Sequence, residues 1–360
     1  MLKYVLKRLL YVVPTMFIIS LLVFATIQLP EGDYVTNMIE SMRNQSGSST
    51  WSPQFEQAMR DRYGLNQPVY VQYAKWMGNI LLKGDFGYSF QYNEPSEKMI
   101  GDRMGMTLVV SISAFVFTWM VALPIGVLSA VRQYSLADYF FSFIGFLGLA
   151  TPGFLVALVL LFLSFKYGGA SLTGLFSREF ENAPWTIEKV FDLMRHLWIP
   201  MIIIGIGGTA GLIRVMRANL LDELHKPYVE TARAKGMPEW KLLIKYPLRQ
   251  AMNPFVSSIS WVLPGLIAGE ALVSIVLNLP TSGPILLNSL LQEDMFLAAG
   301  FLMLLSLMTI IGTLISDILL AWLDPRIRLS LANIQSISLI QPTLTTTEMH
   351  EDGGRNDGTY

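Results

Sequence analysis

Two carboxylates, Glu270 and Asp317, stand inside long apolar stretches of this 360-residue chain. An ionisable group in a hydrocarbon environment is costly, and it is a functional candidate by default. Glu270 lies deep in its stretch, and three readings of it stay open. It lines a polar path, it stays protonated, or it hydrogen-bonds a neighbouring helix. Asp317 lies near one end of its stretch, where it can reach the interface or pair with a basic side chain. A proton-driven carrier needs a relay of such groups, and one central carboxylate is thin support for it. Other chemistry is sparse. There is no G-x-x-x-x-G-K-[ST] loop to cradle a phosphate, so ATP is not held here in that manner. His196, His225 and His350 are far apart and no H-E-x-x-H occurs, which does not fit a zinc protease. The absence of cysteine excludes disulfides, thiolate metal sites and cysteine nucleophiles. No nucleophile–base pair is recognisable, so a membrane-embedded hydrolase has no support. The glycines from Gly205 to Gly211 resemble a dinucleotide loop but follow no strand. His350, Glu351, Asp352 and Asp357 read as a solvated acidic tail rather than a metal site, and Asn44-Gln-Ser46 is too short a match to argue glycosylation.

The stronger signal is polar. Residues 228–249 read YVETARAKGMPEWKLLIKYPLR, a basic, helix-favouring segment between two apolar runs. Asp222 and Glu223 open a short helix and Lys235 closes it, the charge order that a helix dipole favours. Gly236 supplies the break, and Pro238 suits the first turn of a following helix. Ala232 and Ala234 carry little side chain, so a partner surface can approach the backbone closely. Met237, Trp240, Leu243 and Ile244 form an apolar set suited to packing on the base of a bundle. A loop that only touched anionic headgroups would need no more than the charges. The helix–glycine–helix build points to a protein partner.

The elements that position these groups follow from composition. The chain is 52% hydrophobic and 15% charged, with mean hydropathy +0.45, against about 25% charged in soluble domains. Apolar runs at about 9–29, 107–131, 139–165, 197–217, 255–278 and 296–322 are each long enough to span a bilayer. Glycines interrupt the fourth, and Pro264 and Glu270 the fifth; membrane helices tolerate this where neighbours cover the freed backbone. Gly207-xxx-Gly211 is a candidate for close helix packing. Lys3, Lys7 and Arg8 precede the first run, which is too long for a signal-peptide core, so it reads as an uncleaved first transmembrane helix.

The positive-inside rule then places both termini and the Lys/Arg-rich segment 214–253 in the cytoplasm. Loop 30–106, loop 166–196 and the Lys/Arg-free loop 279–295 fall outside. Helices are expected at 51–64 and 69–82, a turn at Gly84–Gly87, and a short amphipathic helix from Trp185 to Leu193. The polar tail 333–360 reads as disordered. The fold class is an all-α polytopic membrane protein. It has six transmembrane helices, a large extracytoplasmic loop after the first and a cytoplasmic helical loop between the fourth and fifth. The expected parts are the N-terminus and first helix at 1–29, the outer loop region at 30–106, a core at 107–328 with the cytoplasmic loop 218–253, and a cytoplasmic tail at 329–360.

Glu230-Thr-Ala232-Arg-Ala234-Lys-Gly236, followed by Ile244 and Pro247, resembles the "EAA–G–I–LP" loop of bacterial ABC-importer permeases. Arg62-Tyr-Gly-Leu-Asn-Gln-Pro-Val-Tyr-Val-Gln-Tyr73, Gly84-Asp-Phe-Gly-Tyr-Ser89 and Leu323-Asp-Pro-Arg-Ile-Arg328 resemble further motifs of the dipeptide/oligopeptide permease family. The resemblance covers about residues 1–328. It implies a non-catalytic, cofactor-free permease subunit in the prokaryotic inner membrane, surrounded by lipid. The implied partners are a second homologous permease, two cytoplasmic ATPase subunits that hydrolyse ATP, and an extracytoplasmic solute-binding protein; nucleic acid is not among them. The carried-over docking residues are Tyr228, Glu230, Thr231, Ala232, Arg233, Ala234, Lys235 and Gly236. Relatives that resemble peptide importers carry oligosaccharides, so either class fits as solute. The chain departs from the pattern at Thr231, at Pro280-Thr-Ser-Gly283-Pro284, in the long loop 166–196 and at Glu270, where a small apolar residue is expected. The competing reading is a stand-alone proton-coupled carrier that uses Glu270.

Overall fold

The computed structural model describes residues 2–28, 35, 36, 39, 53–63, 65–89, 91–167 and 172–323. The closing motif after Leu323 and the tail lie outside the described residues, as does much of 29–52. Helix α1 (Leu2–Ile27) starts well before the apolar run, because Lys3, Lys7 and Arg8 are good helix formers. Helices α2 (Pro53–Tyr63) and α3 (Val69–Lys83) fall where their sequence periodicity puts them. Gly84, at φ +66, ends α3 in a left-handed cap whose N–H bonds the carbonyls of Asn79 and Ile80. A minimal antiparallel ribbon of β1 (Tyr88–Ser89) and β2 (Glu94–Pro95) follows.

Helix α4 (Ser96–Val131) has 36 residues, about 54 Å at 1.5 Å per residue. Its apolar run at 107–131 is therefore the C-terminal part of a longer rod. The third apolar run is not one rod. It divides into α5 (Leu136–Ala150) and α6 (Gly153–Lys166), bent by 96°. Pro152 removes an amide at the bend and disfavours helical geometry at Thr151. By contrast the glycine-rich fourth run is unbroken within α7 (Ile187–Leu224), a helix of 38 residues. The helix expected from Trp185 to Leu193 is its first turns.

The segment after α7 forms α8 (Pro227–Ala234), α9 (Glu239–Lys245) and α10 (Pro247–Ser257). Asp222 and Glu223 belong to the end of α7 rather than opening α8. The chain breaks at His225-Lys226, and Pro227 supplies the first helical position. The fifth run is α11 (Ile259–Leu277), followed by α12 (Ser282–Leu291) at 80° to it. Helix α13 (Met295–Leu323) closes the described chain. By length and composition four helices among the described residues can cross a membrane, or up to six if each bent pair is one span.

The core sits between α4 and α7, whose small residues let the backbones approach. A methyl on Gly126 would lie 2.7 Å from Met216 Cβ, and one on Gly205 2.6 Å from Phe117 Cδ1. Thr118 Oγ1 donates to the Gly205 carbonyl at 3.1 Å. The close contact therefore falls on Gly205 and not on Gly207, around which a Cβ would meet open space. Helix α1 leans on α13, where Arg8 and Asp317 form an ion pair at 3.2 Å. Asp317 is thus paired, as its position near a span end anticipates.

Candidate functional site

Helix α8 is held by its own capping chemistry. Gly236 takes φ +77, its N–H bonds the Arg233 carbonyl at 3.0 Å, and the Met237 N–H reaches back to Ala232 O at 3.4 Å. This left-handed closure is the type that accompanies an apolar contact across the helix end. Met237 supplies that contact, packing with Tyr246 on the buried trio Val229, Ala232 and Leu242. Arg233 spans the turn to Glu239 with two hydrogen bonds, at 2.6 and 3.2 Å. The Arg233 guanidinium thereby holds the Glu239 carboxyl below the usual carboxylate range. Tyr228 donates to Glu223, fixing α8 to the end of α7, and its phenol is pushed up by burial and by that carboxylate.

The expected docking residues divide. Tyr228, Glu230, Thr231, Arg233, Ala234, Lys235 and Gly236 are exposed, whereas Ala232 is only 8% exposed and faces inward. The apolar set divides as well. Met237 and Leu243 are partly buried, Trp240 and Ile244 point outward at 63% and 59% exposure, and Leu242 is the side chain that fills the turn. Helical phase explains this: α9 is seven residues long, and one face of it is shared by Leu242 and Tyr246.

Upstream, Arg217 of α7 forms a bidentate pair with Asp138 of α5, at 3.0 and 2.9 Å. Asp138 also accepts from the Tyr134 N–H at 3.0 Å. This pair holds the α4–α5 turn against α7 two turns before its end.

Further along α7 lies a cavity of about 350 Å³ between the α5–α6 elbow, α7 and α11. Its walls include Gly153, Gly207, Gly208, Gly265 and Gly269, with Phe154, Ile206, Leu266 and Trp261. Among the described residues no charged side chain lines it. Gly269 faces the cavity, while Glu270 is wholly buried on another side of α11. Its polar neighbours are the hydroxyls of Ser274 and Thr281, yet neither carboxylate oxygen reaches hydrogen-bond geometry among the described residues.

Residues 122–329 match the family described as the binding-protein-dependent transport system inner membrane component, and residues 1–114 match the N-terminal region of such membrane components. The chain belongs to this family. The oligopeptide transport system permease protein AppB of Bacillus subtilis is 34% identical over 333 residues, covering 91% of this chain and 99% of that one. A putative peptide permease protein of Brucella ovis is 32% identical over 332 residues, covering 92% and 100%. The dipeptide transport system permease protein DppB of Escherichia coli K12 is 29% identical over 346 residues, covering 91% and 99%. The chain is therefore a multi-pass membrane permease of an ABC-type transport system, a class with ATPase and binding-protein partners.

In this permease the Gly84–Ser89 motif has a definite place. Ser89 is buried and donates to Asp294, which joins α12 to α13. A methyl on Gly87, at φ +104, would sit 3.0 Å from Phe296 Cβ. Asp294 escaped the sequence reading because it lies in a short polar turn, where an acidic residue is ordinary. Its one sequence signal is position: it directly precedes a long apolar run, as a helix N-cap does. Asp138, beside a Ser135 cap, was passed over for the same reason.

Proposed function

We propose that the chain forms half of the translocation path of an ATP-driven importer and is coupled to a cytoplasmic ATPase through residues 228–249. The observation that carries this is the α8–α9 turn. It presents Glu230, Thr231, Arg233, Ala234 and Lys235 outward from a packed apolar base at the end of a 38-residue helix. A rod of that kind can pass a displacement at its base to the cavity wall formed by Ile203–Gly208. Coupling then requires only that the docked segment differ in free energy between two arrangements of the path. In this reading a second homologous permease supplies the other wall, two ATPase subunits hydrolyse ATP, and an extracytoplasmic binding protein delivers the solute. Both termini and residues 218–253 lie in the cytoplasm, and loops 30–106, 166–196 and 279–295 lie outside.

Oligopeptides are the favoured solute. The relatives are named for peptides, and the cavity has few of the planar polar side chains that bind sugar hydroxyls. Oligosaccharides remain the second class to assay. The test is uptake by the reconstituted complex. Uptake is expected to require ATP and to be lost when Glu230–Gly236 are replaced by a flexible linker. Uptake that survives this replacement, or that follows a proton gradient without ATP, overturns the reading and favours a carrier using Glu270. That second reading draws on the unpartnered carboxylate of Glu270. We assign Glu270 a place behind the path, buried where α11 meets α12, and expect Glu270→Gln to change uptake kinetics while assembly is normal. Unchanged kinetics would make the residue structural.

A further inference from the structure

The end of the bundle remote from residues 228–249 holds a buried contact that the transport reading leaves unused. Helix α12 lies there at 80° to α11, and its ten residues extend about 15 Å. Each of its ends is tied down separately. At the first, the Ser282 N–H donates to Thr107 Oγ1 at 2.9 Å, and the Thr107 hydroxyl donates to Ser282 Oγ at 3.0 Å. Gly283 there has no room for a side chain, since a Cβ would sit 2.5 Å from Ser274 Oγ. At the second, Asp294 closes α12 through its own N–H on the Ser289 carbonyl at 2.8 Å, and its carbonyl accepts from the Ala298 N–H at 3.0 Å as α13 begins.

The Asp294 side chain is wholly buried. One carboxylate oxygen accepts the Ser89 hydroxyl, and the Gln91 N–H approaches the same oxygen at 3.4 Å. Ser89 is itself wholly buried, and its Oγ accepts from the Tyr92 N–H at 3.3 Å. Phe86 and Tyr92 flank this contact and pack with Ile285 of α12 and with Leu297 and Phe301 of α13. A carboxylate removed from water is retained only at a cost. An apolar pair of the same size would fill the space more cheaply if packing were the whole purpose. What the carboxylate adds is direction: it fixes a single register between the β1–β2 ribbon and the end of α12.

We propose that Asp294 is a positioning residue for transport, clamping the β1–β2 ribbon to α12 through Ser89 and so setting where α12 lies across the remote end of the path. This rests on the reading of the chain as an importer permease. The clamp makes α12 and the ribbon move as one body. A partner that displaces the β1–β2 ribbon therefore displaces α12 with it.

The test uses the full complex in nanodiscs with its companion permease, ATPases and binding protein. Uptake and ATP hydrolysis are measured on the same preparation. Ser89→Ala and Asp294→Ala are expected to assemble at normal yield and to hydrolyse ATP, while uptake falls about tenfold, the loss expected for one charge-assisted hydrogen bond. ATP consumed per solute therefore rises. The double variant is expected to be no worse than Asp294→Ala alone, because both changes remove one contact. Asp294→Asn keeps an acceptor of the same shape and is expected to retain most of the coupling. An unchanged ratio of ATP to solute in both alanine variants overturns the proposal, as do losses that add in the double variant. If the alanine variants fail to assemble, Ser89→Cys, whose thiol is only a weak donor, takes their place, and an unchanged ratio of ATP to solute in Ser89→Cys overturns the proposal. A wild-type complex that transports without ATP would instead overturn the importer reading, and the two failures are separated by that control.

Discussion

At Ala232 and Ala234 a step of two helical positions decides between two roles. Both are small, and both belong to the segment that resembles a docking loop, but only Ala232 is packed, against Leu242 and Val229. Ala232→Trp is expected to overpack this trio, at about 1–3 kcal/mol or more, and to loosen the turn itself. Limited proteolysis at 226–246 would show it. Ala234→Trp is expected to leave the turn folded and to lower co-purification of the ATPase. Co-purification of the ATPase with Ala234→Trp at the parent's yield would remove the docking role from the exposed face. Asp294 gives a residue-scale prediction in pH. Burial pushes its carboxyl up from 3.8 to about 6. Between these values the folded chain holds a proton that the unfolded chain releases, so its contribution to stability is largest below 3.8. That contribution falls as pH rises and levels off above about 6. At 1.36 kcal/mol per unit the full change is about 3 kcal/mol. Asp294→Asn is therefore expected to lose this slope and to gain thermal stability over the parent at pH 7.5. Parallel melting curves of parent and variant across pH 4–8 would contradict it.

At the scale of elements, the breaks carry more information than the helices. Pro152 marks the 96° elbow of α5 and α6, but proline inside an apolar run is compatible with a kink, a break or a covered bend, and neighbours decide which. The elbow is covered by Ile203 and Val273, which approach Gly153. The glycines of α7 presented the opposite case. They read as interruptions, yet all but Gly207 are contact points, with Gly205 and Gly211 each meeting an aromatic ring. The Asp138–Arg217 pair belongs to this scale, since it binds α5 to α7 across 79 residues of sequence. Arg217→Ala leaves Asp138, whose side chain is 3% exposed, without its ion partner. The expected cost is about 3–5 kcal/mol, read as a fall in the melting temperature of the purified complex. Replacing both residues by an apolar pair is expected to cost less. A double replacement as damaging as the single one would show that the pair does more than hold two helices.

For the whole molecule, the orientation read from charge can be tested directly, because the chain has no cysteine. A single cysteine at Lys235 is expected to react with a membrane-impermeant maleimide only in inverted vesicles. One at Trp185 is expected to react only in right-side-out ones. Labelling of both from one side would overturn the six-span arrangement. The two bent pairs are where that arrangement is decided, since each counts as one span only if its arms together cross the bilayer.

Several features were legible because they are local. Long apolar runs follow from the size of the hydrocarbon layer, and the α8 turn follows from Pro227, Gly236 and Pro238, whose backbone preferences need no distant partner. Charge along the chain suggested which end of each run meets the cytoplasm. The sequence alone thus determined membrane class, family and the position of the polar segment. Tertiary structure decided which face of each helix is used. It turned Ala232 inward, placed Glu270 away from the cavity, and joined Ser89 to Asp294 across 205 positions. The physical reason is that an apolar run facing lipid, a neighbouring helix or a cavity has nearly the same composition in each case. Only the packing partner separates these environments, and that partner is distant in the chain.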